Sequence, residues 1–326
     1  RRVRQALFDS AVAQLPSTIT QLVVVADGAV HRAPIEALPL ETGEPLGERF
    51  DVSVVPSATV WLRLRTSRAN RSAGSVLVVA DPAVSNGAPD GQLPLTPLPG
   101  ARREARAIPR TLGSERQQTF EGAEASERIV KSTALTTFSI VHFAAHARAD
   151  SMFPERSAVF LAPGDDNEDG WLQPDEIAAL DLRGRLVVLS ACDSAGGSLV
   201  SGEGPLSLAR AFFAGGATAV IATRWPLEDD DAAFFMERWY RALRTGQSAA
   251  AALRQARLEV REAGRPSEAW AGVVLLGDGQ VSPIVAGPSD GLPSGRLAAL
   301  ILVLGLVMTA AIGGVWLRHR RGQRAI

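Results

Sequence analysis

The sequence predicts an α/β fold, a mostly parallel sheet flanked by helices on both faces, with one transmembrane helix at the C-terminal end. Three observations carry that prediction: short Val- and Ile-rich runs, segments between them with apolar residues near a 3.6 spacing, and a single long uncharged stretch close to the end. Strands buried on both faces read as continuous apolar runs, and helices alternating with such strands build parallel sheets.

Taken in order, QLVVVAD (21–27) and SVLVVAD (75–81) read as the first buried strands. The stretch 81–100 between the second strand and the next helix is too long and irregular for a simple connection, so it is either a functional loop or partly disordered. ARREARAIPRTLG (101–113) and EASERIVKSTAL (124–135) have helical spacing, and FSIVHFAAH (138–146) is the third strand. The helix QPDEIAALDL (173–182) precedes the strand RLVVLSAC (185–192), and PLSLARAFFAGG (205–216) precedes ATAVIATRW (217–225). DDDAAFFMERWYRALRTG (229–246) is the last of these helices, and Gly closes several of them. Ligands and catalytic groups of such sheets lie at the carboxyl ends of the strands.

The end of the chain differs. Residues 297–317, LAALILVLGLVMTAAIGGVWL, carry no charge and as a helix would rise about 31 Å, about the thickness of a bilayer's hydrocarbon core. Trp316 and the following RHRRGQR supply an interfacial aromatic and a basic stop. The predicted organisation is therefore a globular domain over 1–281, a Pro-, Gly- and Ser-rich linker over 282–296, a single membrane span over 297–317 and a basic tail over 318–326. The basic tail favours a cytoplasmic C-terminus and an exported domain, whereas a tail-anchored protein would keep the domain in the cytoplasm; both topologies stay open. The opening RRVRQALFDS, without Met, raises the expectation of an upstream region.

Lys plus Arg number 34 against 35 Asp plus Glu, so no overall field recruits nucleic acid, and none is expected as a partner. Lys131 is the chain's one lysine; the Arg excess reads as codon bias. Cys192 is the single cysteine, which excludes an intrachain disulfide framework and a zinc site built on several thiolates. It ends the strand RLVVLSAC and faces a Gly- and Ser-rich loop, where it is either a nucleophile or a small buried hydrophobe. His142 and His146 share the run VHFAAHA, but a strand separates them by about 13 Å, too far for one metal ion. His142 then reads as a hydrogen-bonded core residue, and His146, at the strand's end, reaches the cleft of Cys192.

Other motifs read as structure. GEGPLS (202–207) lacks the direct strand-to-helix turn of a nucleotide loop. The acidic run 228–231 caps a helix, the aromatic residues Phe234, Phe235, Trp239 and Tyr240 pack on the sheet, and DDNEDG (165–170) is a solvated turn without the spaced ligands of a calcium loop.

Beyond these features, LVVVADGAVHRAPIEALP, PSATVWLRL, LPGARREARAI, VHFAAHARAD, DGWLQPDEIAALDLRG, LVVLSACDSAGG, GEGPLSLARAFFAGGATAVIATRWPLEDDDA and WAGVVLLGDG follow one another along the chain. In content and order they resemble the blocks of the CHAT family, caspase-like cysteine peptidases often fused to tetratricopeptide repeats. The resemblance implies a caspase-like fold and a cysteine endopeptidase that needs no cofactor and no metal, and acts on protein or peptide substrates. It implies His146 as general base, Cys192 as nucleophile, and the backbone N–H groups of Ala147 and Cys192 as the oxyanion hole. No third Asp is required, although Asp150 or Asp193 could border the pocket for the residue before the scissile bond. An upstream tetratricopeptide-repeat or regulatory region is a further implied partner.

One departure stands out: the family usually has Gly where this chain has Ala147. Were that Gly present for a left-handed backbone, Ala147 would misaim its N–H; were it there only to admit substrate, the effect would be smaller. The departure raises the alternative of a catalytically silent CHAT module serving as a regulated protein-binding platform. GEGPLS alone motivates a third, a nucleotide-binding α/β domain.

Overall fold

The structure, a computed structural model, describes residues 12–284 except 13, 27–29, 31–32, 67–73, 85–94, 114–115, 149, 151–152, 165–167 and 191–204, together with 300–302. In chain order the elements are β1 (Gln21–Val25), α1 (Leu46–Arg49), β2 (Asp51–Val55), α2 (Ala58–Thr66), β3 (Val76–Pro82), α3 (Pro99–Leu112) and β4 (Gln117–Gly122). There follow α4 (Glu127–Ser132), β5 (Ile140–Ala144), β6 (Ala147–Arg148), β7 (Ala158–Phe160), β8 (Trp171–Leu172), α5 (Pro174–Ala179), β9 (Leu186–Leu189) and α6 (Pro205–Ala214). The last are β10 (Ala219–Thr223), α7 (Asp229–Arg244), α8 (Ala249–Glu262), α9 (Glu268–Ala271), β11 (Val273–Gly277) and β12 (Leu300–Leu302).

Nine strands form one sheet in the order β12-β1-β2-β11-β10-β9-β5-β3-β4. Every neighbouring pair is parallel except β10 and β11. The apolar runs are continuous because alternate residues feed two cores. Val76, Val78, Ile140, Leu186, Val188 and Ile221 pack with Ile108 of α3, Trp239 of α7 and Leu253 of α8 on one face. Leu77, Val79, Phe143, Val187, Leu189 and Val220 pack with Val130 of α4, Ile177 of α5 and Phe212 of α6 on the other. Full burial of one such side chain contributes about 1.5–3 kcal/mol. Of the aromatic cluster, Phe235, Trp239 and Tyr240 are fully buried in the first of these cores, while Phe234 lies under the guanidinium groups of Arg238 and Arg265.

The five predicted strands all form, and the helices expected at 101–113, 124–135, 173–182, 205–216 and 229–246 are α3 to α7. The C-terminal expectation needs correction at three residues. Leu300–Leu302 form β12, parallel to β1, rather than part of a helix; backbone pairing at the open edge of β1 satisfies the same polar groups a helix would satisfy internally. The rest of 297–317 lies outside the described residues, and among those described no helix is long and apolar enough to cross a membrane.

A second, three-stranded sheet, β6-β7-β8, is antiparallel and follows directly on β5. It is fastened to α4: the Gly170 N–H donates to Glu127 at 2.8 Å, and the Glu127 N–H donates to the Ala162 carbonyl at 3.1 Å. Glu127 in turn belongs to a cluster around Lys131, whose ammonium lies 2.5 Å from Glu127, 3.0 Å from Glu168 and 2.8 Å from Glu176. Glu168 therefore turns inward from the DDNEDG segment, which is not the wholly solvated turn expected; the lone ammonium draws it in.

Candidate active site

β5 and β9 are adjacent and parallel, with Phe143 opposite Leu189. The two strands therefore end side by side, and in the sequence His146 and Cys192 each stand three positions beyond that pair. Cys192 itself, like Asp193 and residues 202–204 of GEGPLS, lies outside the described residues. Ser190, two residues before it, is buried.

His146 is 3% exposed, and its Nε2 lies 2.7 Å from the backbone oxygen of Thr96. A carbonyl only accepts, so Nε2 carries the proton and donates it; in the neutral ring the lone pair then sits on Nδ1. Burial lowers the pKa of His146 below its ordinary value, against the Thr96 hydrogen bond and the negative charges of Asp81 and Asp229, which act to raise it. The imidazole is thereby kept in the form that takes up a proton.

The segment carrying Thr96 is tied down on both sides. Asp81, at the end of β3, accepts from the Leu98 N–H at 2.7 Å and pairs with Arg102. Among the described non-glycine residues it alone has positive φ, 42°, in the left-handed region that Asp tolerates better than most. Asp229 accepts from the N–H groups of Gly100 and Ala101, the latter at 3.1 Å, and so caps α3 from the far side of the sequence. Carboxylates do favour a helix N-terminus, but this one serves α3 rather than the helix it begins. Gly100 is required there, since a Cβ would come within 2.4 Å of the Asp229 carboxyl.

Ala147 pairs with Val159, while the flanking Phe160 N–H donates to the His146 carbonyl at 2.8 Å. In antiparallel pairing this makes His146 and Phe160 the hydrogen-bonded pair and Ala147 the non-hydrogen-bonded one, so the Ala147 N–H points away from β7. Its φ is not positive, which removes the conformational reason for Gly at this position. Ala147→Gly is accordingly expected to change turnover less than threefold on a peptide series; a tenfold gain would show that the backbone is strained after all.

His142 is fully buried, as its place inside the strand predicts, with Nδ1 at 2.8 Å from the Tyr240 hydroxyl and Nε2 at 2.8 Å from Glu104 Oε1. Asp150 accepts from the Phe153 N–H at 2.9 Å, in the turn after β6. Among the described residues no group of three His, Cys, Asp or Glu is placed to hold a metal ion. Sequence reasoning did not single out Thr96, Asp81, Glu104 or Ser190. The one signal for Thr96 is the irregular length of 81–100.

The family model for the CHAT domain matches residues 1–278. The chain belongs to the CHAT domain family. Tetratricopeptide repeat protein 28 of Homo sapiens is 29% identical over 300 residues, covering 79% of this chain and 12% of that protein, and its Mus musculus counterpart matches to the same extent. The CHAT chain thus spans about an eighth of the length of these relatives. Among solved structures, the Saccharomyces cerevisiae separase–securin complex aligns with a TM-score of 0.49 at 16% identity, over 78% of this chain and 15% of that one. The Arg-specific cysteine proteinase gingipain R aligns with a TM-score of 0.46 at 10% identity, over 82% and 78%.

Proposed function

We propose that this CHAT domain is a caspase-like cysteine endopeptidase acting on protein substrates. The observation that carries the reading is the buried His146 beyond the end of β5, with Nε2–H fixed on the Thr96 carbonyl, which sets the ring's orientation and leaves Nδ1 as its basic nitrogen in the neutral form. In this reading Nδ1 takes the Cys192 proton, and the thiolate attacks the scissile carbonyl carbon. The resulting oxyanion accepts from the Ala147 and Cys192 N–H groups. Collapse breaks the C–N bond, and the imidazolium returns its proton to the leaving amine. Water, deprotonated by His146, then cleaves the thioester to release the acid and restore the thiol. Wild type should cleave peptides and Cys192→Ala should not, at equal folded content; cleavage by both would end the proposal.

The same reading fixes a pH dependence. Because burial holds His146 below the ordinary value of about 6.5, activity should persist to a lower pH than a solvated imidazole allows. Asp229→Asn keeps an acceptor for the α3 cap and removes a charge that raises the His146 pKa, so the acid limb of kcat/KM should move to lower pH. A move to higher pH would contradict the electrostatics.

An upstream tetratricopeptide-repeat or regulatory region is a further partner in this reading, supported by the likeness to tetratricopeptide repeat protein 28. We also propose that 297–317 anchors the protein in a membrane by a single span, on its length and lack of charge. Insertion would draw Leu300–Leu302 off the edge of β1. The 326-residue chain should then resist carbonate extraction, and its recovery in the soluble fraction would exclude the anchor.

A further inference from the structure

Glu104, on α3, stands at the centre of a buried polar chain that the hydrolytic steps do not use. The Ser190 hydroxyl donates to its Oε2 at 2.9 Å, and its Oε1 lies 2.8 Å from His142 Nε2, while the other ring nitrogen of His142 is 2.8 Å from the Tyr240 hydroxyl. The four side chains come from α3, the position just past β9, β5 and α7, and none exposes more than 7% of its surface. The Ser190–Glu104 and His142–Tyr240 links are hydrogen bonds, whereas Glu104 Oε1 and His142 Nε2 meet only at ion-pair distance, and buried polar contacts of this kind fix the elements that carry them. Two of its attachments bear on the site. Ser190 precedes Cys192 by two residues. The segment entering α3 carries Thr96, which orients His146.

Resting on the peptidase reading, we propose that α3 is a two-armed brace: Thr96 orients the base, and Glu104, through Ser190, is a positioning residue that fixes where the nucleophile's segment leaves β9. Neither Glu104 nor Ser190 touches substrate in this account. Their effect is on the alignment of Cys192 with His146, and hence on thiolate formation rather than on substrate binding.

The test uses the full chain, in which Cys192 is the sole thiol, so iodoacetamide uptake reports on that residue alone. The rate of alkylation is measured against pH for wild type, Ser190→Ala, Ser190→Thr, Glu104→Gln and Glu104→Leu, with the unfolding midpoint of each. Wild type should react at pH 6.5 at least tenfold faster than a free cysteine peptide. Ser190→Ala should lose about tenfold and shift its profile toward that of the free thiol, whereas Ser190→Thr, which keeps the hydroxyl, should recover the rate to within threefold. Glu104→Gln keeps an acceptor for Ser190 and should also stay within threefold, whereas Glu104→Leu removes that acceptor and should lose about tenfold, which makes it the readout if Ser190→Ala does not fold.

Ser190→Ala at the wild-type rate and profile would overturn the brace. So would equal losses in Ser190→Ala and Ser190→Thr, which would assign the effect to packing, a tenfold loss in Glu104→Gln, or a folded Glu104→Leu at the wild-type rate. A wild type that reacts like the free peptide would instead overturn the peptidase reading itself.

Discussion

His146→Ala is expected to lower kcat/KM by about 10²- to 10⁴-fold, the usual worth of a positioned general base, with little change in unfolding midpoint. His142→Ala is expected to do the reverse. The two residues lie four positions apart on one strand, yet their surroundings differ: Thr96 and the acidic groups at the sheet's end face His146, whereas Glu104 and Tyr240 face His142 in the core. Truncating His142 leaves Glu104 with Ser190 alone and the Tyr240 hydroxyl without its partner, and a buried polar group so deprived costs about 1–3 kcal/mol. Steady-state kinetics and thermal unfolding of the two variants separate the roles. A folded His142→Ala without activity beside an active His146→Ala would reverse them.

The second large effect belongs to Lys131. Three carboxylates converge on its ammonium, a compact point charge with three donors, so Lys131→Met should destabilise the fold by about 3 kcal/mol. Lys131→Arg should lose less but not recover wild-type stability, since a planar fork cannot address three convergent acceptors. Burial raises the Glu127 pKa to about 7, against the Lys131 and Gly170 hydrogen bonds. The folded state therefore holds this proton more tightly than the unfolded chain, and the group's contribution to stability is lost as pH rises from the ordinary carboxylate range through about 7. Without the cation, ionisation of the cluster is costlier still, so the deficit of Lys131→Met should shrink from pH 8 to pH 5. A deficit that ignores pH would contradict the cluster's charge state.

Much of the sheet was legible because β3, β5, β9 and β10 are buried on both faces and cannot hide their Val and Ile runs. β2 and β4 were not: DVSVV interrupts its apolar run with Asp51 and Ser53, and the edge strand QQTFEG is only half-buried. β11, within WAGVVLLGDG, turns against its β10 neighbour and gives no local sign of that direction. α8 is Ala-rich, and its burying face is defined less by apolar bulk than by closeness to α7 and the sheet.

At the site, the histidines were separable by position along one strand. Their partners were not, because Thr96 contributes a backbone oxygen, which no side-chain pattern encodes, and Glu104 meets Ser190 across 86 positions. Lys131 shows a different gap. Its uniqueness was visible and its role was not, since Glu168 and Glu176 reach it from other segments. The acidic run at 228–231 does open α7, as expected, but the bond of Asp229 to the N-terminus of α3 spans far too much sequence for a local pattern to show.

The central claim, that His146 activates Cys192 for attack on a peptide carbonyl, is tested most directly by labelling native protein at neutral pH with a panel of peptide acyloxymethyl ketones and mapping the adduct by mass spectrometry. The account predicts one adduct, on Cys192, formed with a preference among the peptides and lost in His146→Ala. A folded wild type that takes up no probe, or an adduct that forms equally well in His146→Ala, would contradict it.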